Sequence, residues 1–160
     1  MAINQSESHQ KLMALALEEA NSAHLRGEVP VGAIIAVGNK IVAKASNRTE
    51  ELADPTAHAE VLALRAAAST LQDWRIEDAT LYVTLEPCTM CAGAIRAARI
   101  KTVVFGARDQ RLGACGSLYD ILTDSRLGPE PRVIEGVLKV ECQDILKKFF
   151  DNLRKDHNKR

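Results

Sequence analysis

The sequence lacks net charge, long hydrophobic runs and an N-terminal export signal. Its 160 residues hold 21 Lys and Arg against 21 Asp and Glu, so the overall charge offers no argument for a nucleic-acid partner. No apolar run reaches the length needed to cross a bilayer, which predicts that no membrane is a partner. Residues 1–10 are polar and contain no apolar core, so we expect a cytoplasmic protein.

Cysteine is also sparse, with four residues in the chain: Cys88, Cys91, Cys115 and Cys142. In a reducing compartment, the close pair Cys88 and Cys91 indicates metal binding or redox chemistry rather than a structural disulfide. Cys142 lies on the apolar stripe of the last predicted helix, which indicates a core residue. Cys115 lies in a glycine-containing loop, where we predict tight packing rather than metal binding.

The overall composition is that of an ordinary globular protein, with 46% hydrophobic and 26% charged residues. The length suits a single domain over residues 1–160 with one core. Apolar spacing predicts helices over residues 12–23, 54–69 and 142–153, and strands over residues 31–37, 41–45, 80–85, 101–107 and 132–135.

Helices and strands therefore alternate along the chain, which predicts an α/β fold with helices on both faces of a sheet. The turn signal Gly38-Asn39 joins the first two strands as a hairpin, so the five-stranded sheet should be mixed. We expect a three-layer α/β/α sandwich. Ligands of such sheets bind at the carboxyl ends of strands, where the candidate residues fall.

Two short motifs carry the chemistry: Thr56-Ala57-His58-Ala59-Glu60 and Pro87-Cys88-Thr89-Met90-Cys91. Pro87 predicts the first turn of a helix after the strand over residues 80–85. Cys88 and Cys91 are three residues apart on this helix and so share one face. Two thiolates and one imidazole leave a zinc ion one open position, which is typical of a catalytic rather than a structural site. Both motifs lie at predicted helix N-termini, where the helix dipole favours thiolate.

Glu60 follows His58 by two residues, and such positions point to different faces of a regular helix. We therefore interpret Glu60 as the group that moves protons rather than as a metal ligand. That role needs a carboxylate with a pKa near neutrality, within about 2.6–3.2 Å of the water it activates.

Two other interpretations of these motifs stay open. A structural zinc site would need a fourth ligand, for which Cys115 is the best candidate. A redox dithiol would use Cys88 and Cys91 but would have no need of the His-x-Glu motif.

The combination of H-x-E with P-C-x-x-C is the signature of zinc deaminases. Similarity continues through residues 28–33, 47–48, 54–60, 82–95, 105–109 and 113–117. Over about residues 12–154 the sequence resembles the bacterial tRNA-specific adenosine deaminases (the TadA family of the cytidine and deoxycytidylate deaminase superfamily).

The resemblance implies a cytidine deaminase-like fold, one zinc ion per subunit and a homodimer. It implies hydrolytic deamination of adenosine to inosine at the wobble position of a tRNA anticodon, typically of an arginine tRNA. The residues it assigns by matching position are the zinc ligands His58, Cys88 and Cys91, the catalytic Glu60, the nucleoside-binding Asn47, the apolar wall Val29 and Pro30, and the anticodon-loop contacts Arg108 and Asp109.

Two alternatives to this function remain. The same zinc core supports a deaminase of free bases or nucleosides, such as guanine or cytosine, although the match around residues 105–117 favours RNA. The second alternative is a non-catalytic, zinc-stabilised RNA-binding module. The presence of Glu60 argues against it, because a purely structural site does not need this residue.

Overall fold

The structure is a computed structural model that describes residues 4–159, and it contains one five-stranded sheet with the order β2-β1-β3-β4-β5. The strands are β1 (Gly32–Val37), β2 (Lys40–Ser46), β3 (Ala79–Leu85), β4 (Thr102–Ala107) and β5 (Arg132–Glu135). The α-helices are α1 (Gln5–Leu25), α2 (Thr49–Leu52), α3 (Ala59–Leu71), α4 (Thr89–Ala97) and α5 (Lys139–His157), with a 3-10 turn at Ser125–Leu127.

The sheet is mixed, as predicted. Strand β1 pairs antiparallel with both β2 and β3, whereas β3, β4 and β5 run parallel to one another. The hairpin turns at Gly38, whose φ of 58° lies in the left-handed region that glycine adopts without strain. The carboxyl ends of β3 and β4 therefore lie at the same edge as the start of β1.

Helices cover both faces of the sheet, because alternate strand residues point to opposite sides. Ile34 packs with Met13 of α1 and Cys142 of α5 on one face. Ile35 packs with the residues of α3 and α4 on the other face, among them Ile95. The three-layer α/β/α architecture is thus confirmed, and Cys142 is a buried core residue, as predicted.

The segment before α3 differs from the prediction. The helix expected from residue 54 begins at Ala59, and the short helix α2 precedes it. The carboxylate of Asp54 accepts hydrogen bonds from the backbone N–H and the hydroxyl of Thr56, at 2.8 and 2.7 Å. These bonds form a local turn rather than a helix start, because Asp binds the backbone two residues ahead as readily as it caps a helix.

Among the described residues, no helix combines the length and the hydrophobicity needed to cross a membrane. The single domain over residues 1–160 stays a prediction.

We expect Gly32→Ala to destabilise the fold by about 2–3 kcal/mol or more, because overpacking of this kind costs 1–3 kcal/mol and sometimes more. A Cβ at position 32 would overlap the Ala16 carbonyl oxygen and the Ala20 backbone nitrogen of α1. Neither backbone atom can move without shifting the helix off the sheet. Urea unfolding followed by circular dichroism measures the change.

The matched control is Gly93→Ala on the exposed surface of α4, where an added Cβ meets no atom within 4 Å. Alanine is the better helix former by about 1 kcal/mol, so this variant should be neutral or more stable. Equal unfolding midpoints for Gly32→Ala and the wild type would contradict the close contact between α1 and β1.

Candidate active site

The two motif segments meet at the N-termini of α3 and α4. His58 is the N-cap of α3, with φ −71° and ψ 151°, and Cys88 is the N-cap of α4, with φ −74° and ψ 177°. Neither side chain caps its own helix, so both are free to turn toward each other. Cys91 lies in the first turn of α4 and is fully buried. The predicted placement of both motifs at helix starts is confirmed.

The three side chains have the separations that a tetrahedral zinc ion requires. The Nδ1 atom of His58 lies 3.6 Å from the Sγ of Cys88 and 3.5 Å from the Sγ of Cys91. With Zn–S of about 2.3 Å and Zn–N of about 2.0–2.1 Å, tetrahedral angles place sulfur and nitrogen about 3.5–3.6 Å apart. All three ligand atoms lie within 4.8 Å of one another. The residues therefore fit a zinc ion.

The two thiols differ in acidity. The contact with Cys91, helped by the His58 imidazole, lowers the pKa of Cys88 to about 4. The contact with Cys88, together with burial, raises the pKa of Cys91. A thiolate at Cys88 is thus favoured by its surroundings, whereas a metal must displace the proton of Cys91.

Within residues 4–159, the metal-binding group contains three residues and no fourth. Cys115, the candidate for closing a structural site, lies outside this group. It is buried, and its thiol donates to the carbonyl oxygen of Pro87 at 3.7 Å. The arrangement is that of an open zinc site, which keeps a position for a reacting molecule.

Glu60 lies in the first turn of α3 and lines the same cavity as His58 and Cys88. Only 4% of its surface is exposed. Burial raises the pKa of Glu60 to about 7, because removal from water disfavours the carboxylate. A carboxyl group of this pKa takes up and releases a proton near neutral pH.

The cavity has a volume of about 590 Å³, within the range of small-molecule sites. It opens where the start of β1 meets the carboxyl ends of β3 and β4. Its lining comes from six segments of the chain: Val29 and Val31; Asn47 and Thr49; His58, Ala59 and Glu60; Leu85, Glu86 and Cys88; Arg108 to Leu112; and Leu146 and Phe150 from α5.

Of the two predicted apolar wall residues, Val29 lines the cavity and Pro30 does not. The N–H of Val31 donates to the carbonyl oxygen of Val29 at 2.8 Å, which makes Pro30 the centre of a three-residue turn. This turn brings Val29 and Val31 to the cavity. Pro30 itself is buried and does not line the cavity, so its contact with the substrate stays a prediction.

Arg108 and Asp109 line the cavity, but their charged groups are already engaged. The Arg108 guanidinium donates to both carboxylate oxygens of Glu135, at 2.8 and 3.0 Å. The Asp109 carboxylate accepts from the backbone N–H groups of Arg111 and Leu112, at 2.9 and 3.2 Å. Any contact that Arg108 makes with a phosphate must therefore compete with Glu135.

The sequence did not single out the contribution of α5 to the cavity. Leu146 and Phe150 are four residues apart and reach the cavity from one face of α5. Phe149 is buried and packs edge-on against His24, whereas Phe150 is 36% exposed. The signal that could have indicated this contribution was the four-residue spacing of Leu146 and Phe150. The core positions Cys142 and Phe149 are instead seven residues apart.

The sequence also did not single out two buried carboxylates, of which one lines the cavity and one lies beside it. Glu86 is 2% exposed, and it accepts from the Ser117 hydroxyl at 2.9 Å and from the Asp109 backbone N–H at 3.4 Å. It thereby fixes the loop over residues 108–117. The other carboxylate is Glu28, which is 1% exposed.

A family model of the cytidine and deoxycytidylate deaminase zinc-binding region matches residues 6–107. The tRNA-specific adenosine deaminase of Bacillus subtilis is 46% identical over 143 residues, which is 89% of each chain. The chain belongs to the tRNA-specific adenosine deaminase family. The Haemophilus influenzae member is 45% identical over 152 residues, covering 94% of this chain and 88% of that protein.

The family fold is also confirmed by a solved structure. That structure comes from studies of A-to-I editing by tRNA:A34 deaminases at the wobble position of transfer RNA, and it superposes with a TM-score of 0.82. It is 44% identical and covers 85% of this chain and 99% of its own. The cytidine deaminase-like fold and the zinc cofactor predicted from the sequence are thus confirmed for this family member.

Proposed function

We propose that the protein is a zinc-dependent hydrolase that deaminates adenosine to inosine at the wobble position of a tRNA anticodon, typically of an arginine tRNA. The observation that carries this proposal is the open set His58, Cys88 and Cys91, with the non-ligating Glu60 in the cavity that His58 and Cys88 line. A structural zinc site has no use for a buried carboxylate of near-neutral pKa. The named function of the relatives supplies the substrate class.

His58, Cys88 and Cys91 hold the zinc ion through one nitrogen and two sulfur atoms. A zinc ion held there would supply Lewis acidity that lowers the pKa of water to roughly 7. Glu60 takes the proton of the attacking water and delivers it to the adenine ring and the departing amine. Oxygen bonds to C6, the C6–N6 bond breaks and ammonia leaves, so no oxidant or reductant is required.

The cavity must receive a base that has left its stack, because the reacting carbon is inaccessible within a helix. An anticodon loop offers such bases at low cost. Val29, Leu146 and Phe150 provide apolar contacts for the base. Asn47 hydrogen-bonds the nucleoside, and Arg108 and Asp109 contact the loop from the cavity rim.

We also infer a homodimer in the cytoplasm, with the single domain 1–160 as its subunit. Leu112, Leu118 and Tyr119 expose 58%, 52% and 60% of their surfaces on the loop beside the cavity. Large apolar side chains grouped on one surface favour a protein contact there.

The test is incubation of the zinc-loaded protein with an unmodified anticodon stem-loop that carries adenosine at the wobble position. We expect inosine at that position only, and none from a stem-loop with guanosine there. Absence of inosine would refute the proposal. Ammonia release from free guanine or cytosine, with none from RNA, would establish the small-molecule alternative instead.

A further inference from the structure

Glu28 is a buried carboxylate beside the cavity that the proposed reaction does not use. Its Oε1 atom accepts from the backbone N–H of Glu51 at 2.7 Å. Its Oε2 atom accepts at 3.3 Å from the backbone N–H of Glu50, the hydroxyl of Thr49 and the Nδ2 of Asn47. Backbone N–H groups can only donate, so Glu28 acts as an acceptor on both oxygens.

This contact decides which end of the Asn47 amide faces the cavity. An amide group has a donor end and an acceptor end of nearly equal shape, and hydrogen-bond partners determine its orientation. Nδ2 meets Glu28 Oε2 at 3.3 Å and Thr49 Oγ1 at 3.4 Å. The Oδ1 atom accepts no hydrogen bond from residues 4–159, and Asn47 lines the cavity.

The main chain of Asn47 is held independently of Glu28. Its N–H donates to the carbonyl oxygen of Val31 at 3.0 Å, and its carbonyl oxygen accepts from Arg26 at 3.4 Å. The side-chain amide is therefore the part of Asn47 whose orientation depends on Glu28.

We propose that Glu28 is a positioning residue that turns the Asn47 carbonyl oxygen toward the substrate, so that the pocket selects a hydrogen-bond donor on the nucleoside. This inference rests on the proposed function. Within an RNA chain the 3′ oxygen is esterified, so the edited adenosine offers its 2′-hydroxyl and its exocyclic amine as donors. A site built to accept from such a group discriminates against a molecule that lacks it.

Glu28→Gln tests the proposal with little change of shape. The amide oxygen of the new side chain can keep the short bond from the Glu51 N–H, but its NH₂ then opposes both the Glu50 N–H and the Asn47 NH₂. A half-turn of the Asn47 amide relieves the conflict with Asn47 and presents a donor to the cavity. We expect kcat/KM for inosine formation to fall about 10–100-fold, with zinc content unchanged.

The rescuing variant combines Glu28→Gln with Asn47→Asp. The amide of residue 28 then donates to the carboxylate at position 47, whose second oxygen again offers an acceptor to the cavity. We expect kcat/KM within about fivefold of the wild type. Asn47→Asp alone places two carboxylates in contact and should be the least stable of the three in thermal unfolding.

A second measurement does not depend on activity. In the zinc-loaded wild type the Asn47 side-chain NH₂ should exchange slowly with solvent, because it is bonded to Glu28 and Thr49. In Glu28→Gln it should exchange faster, as read by nitrogen-15 NMR. Unchanged exchange, or a double variant no more active than Glu28→Gln, would overturn the positioning role.

The substrate donor is identified with a stem-loop that carries 2′-deoxyadenosine at the edited position. If the 2′-hydroxyl is the donor, removing it should lower kcat/KM of the wild type and leave kcat/KM of Glu28→Gln unchanged. If removing it lowers kcat/KM by the same factor in both enzymes, the donor is the exocyclic amine. A wild type that forms no inosine at all refutes the proposed function, and the exchange measurement still decides the orientation of Asn47.

Discussion

Replacing Glu60 with glutamine should lower kcat for inosine formation by about 10²–10⁴-fold, the range that proton transfer by a positioned side chain contributes. Glutamine has the shape of glutamate but cannot carry the proton from water to the purine. Glu60 lies outside the three-residue metal group, so zinc content should stay at the wild-type level. Single-turnover inosine formation and metal analysis on the same preparation measure both quantities.

The variant should also be at least as stable as the wild type. Burial raises the pKa of Glu60 to about 7, so the folded state holds this proton more tightly than the unfolded chain does. The stability contributed by this group is therefore present at low pH and declines as the pH rises through about 7. Glutamine carries no ionisable proton and removes that decline, as thermal unfolding between pH 5 and 8 will measure.

The matched control is Glu77→Gln, which changes a carboxylate that is 59% exposed and pairs with Arg99. It should leave zinc content and kcat unchanged. Full turnover by Glu60→Gln would show that another group moves the proton. Loss of zinc in Glu60→Gln would instead make Glu60 a part of the metal site.

The metal-binding group could be predicted from the sequence because its information is local. His58, Cys88 and Cys91 each lie at or near a helix start, and the spacing of the two cysteines fixes a common face. An open tetrahedral site needs little more than these constraints. The alternation of helices and strands likewise predicted the layers, since burial patterns differ between the two kinds of element. The Gly38-Asn39 turn predicted the mixed sheet.

What the sequence did not predict depends on partners distant along the chain. Helix α2 has four residues, and the N–H groups at its start are satisfied by Glu28, about twenty residues earlier. The pairing of Arg108 with Glu135 joins the ends of two parallel strands. The exposed position of Phe150 and the buried position of Phe149 follow from how α5 lies on the sheet. No periodicity in the sequence encodes such pairings.

Replacing Cys91 with serine should abolish detectable zinc at equimolar metal and lower activity by more than about 10³-fold. The change removes one of two sulfur ligands from a fully buried position, where no water can replace it freely. Because the site is assembled from two helix starts, zinc binding also stabilises the packing of α3 against α4. The thermal unfolding midpoint of the variant should therefore fall and should no longer respond to added zinc.

Cys115→Ser is the control that separates an open site from a closed one. Cys115 is 8% exposed and its thiol contacts the Pro87 carbonyl oxygen, outside the metal group. This variant should keep its zinc in competition with a chelator and keep its activity. If zinc were lost from Cys115→Ser as readily as from Cys91→Ser, the metal would have four protein ligands. Such a site would have no position for substrate, and the deaminase mechanism would fail with it.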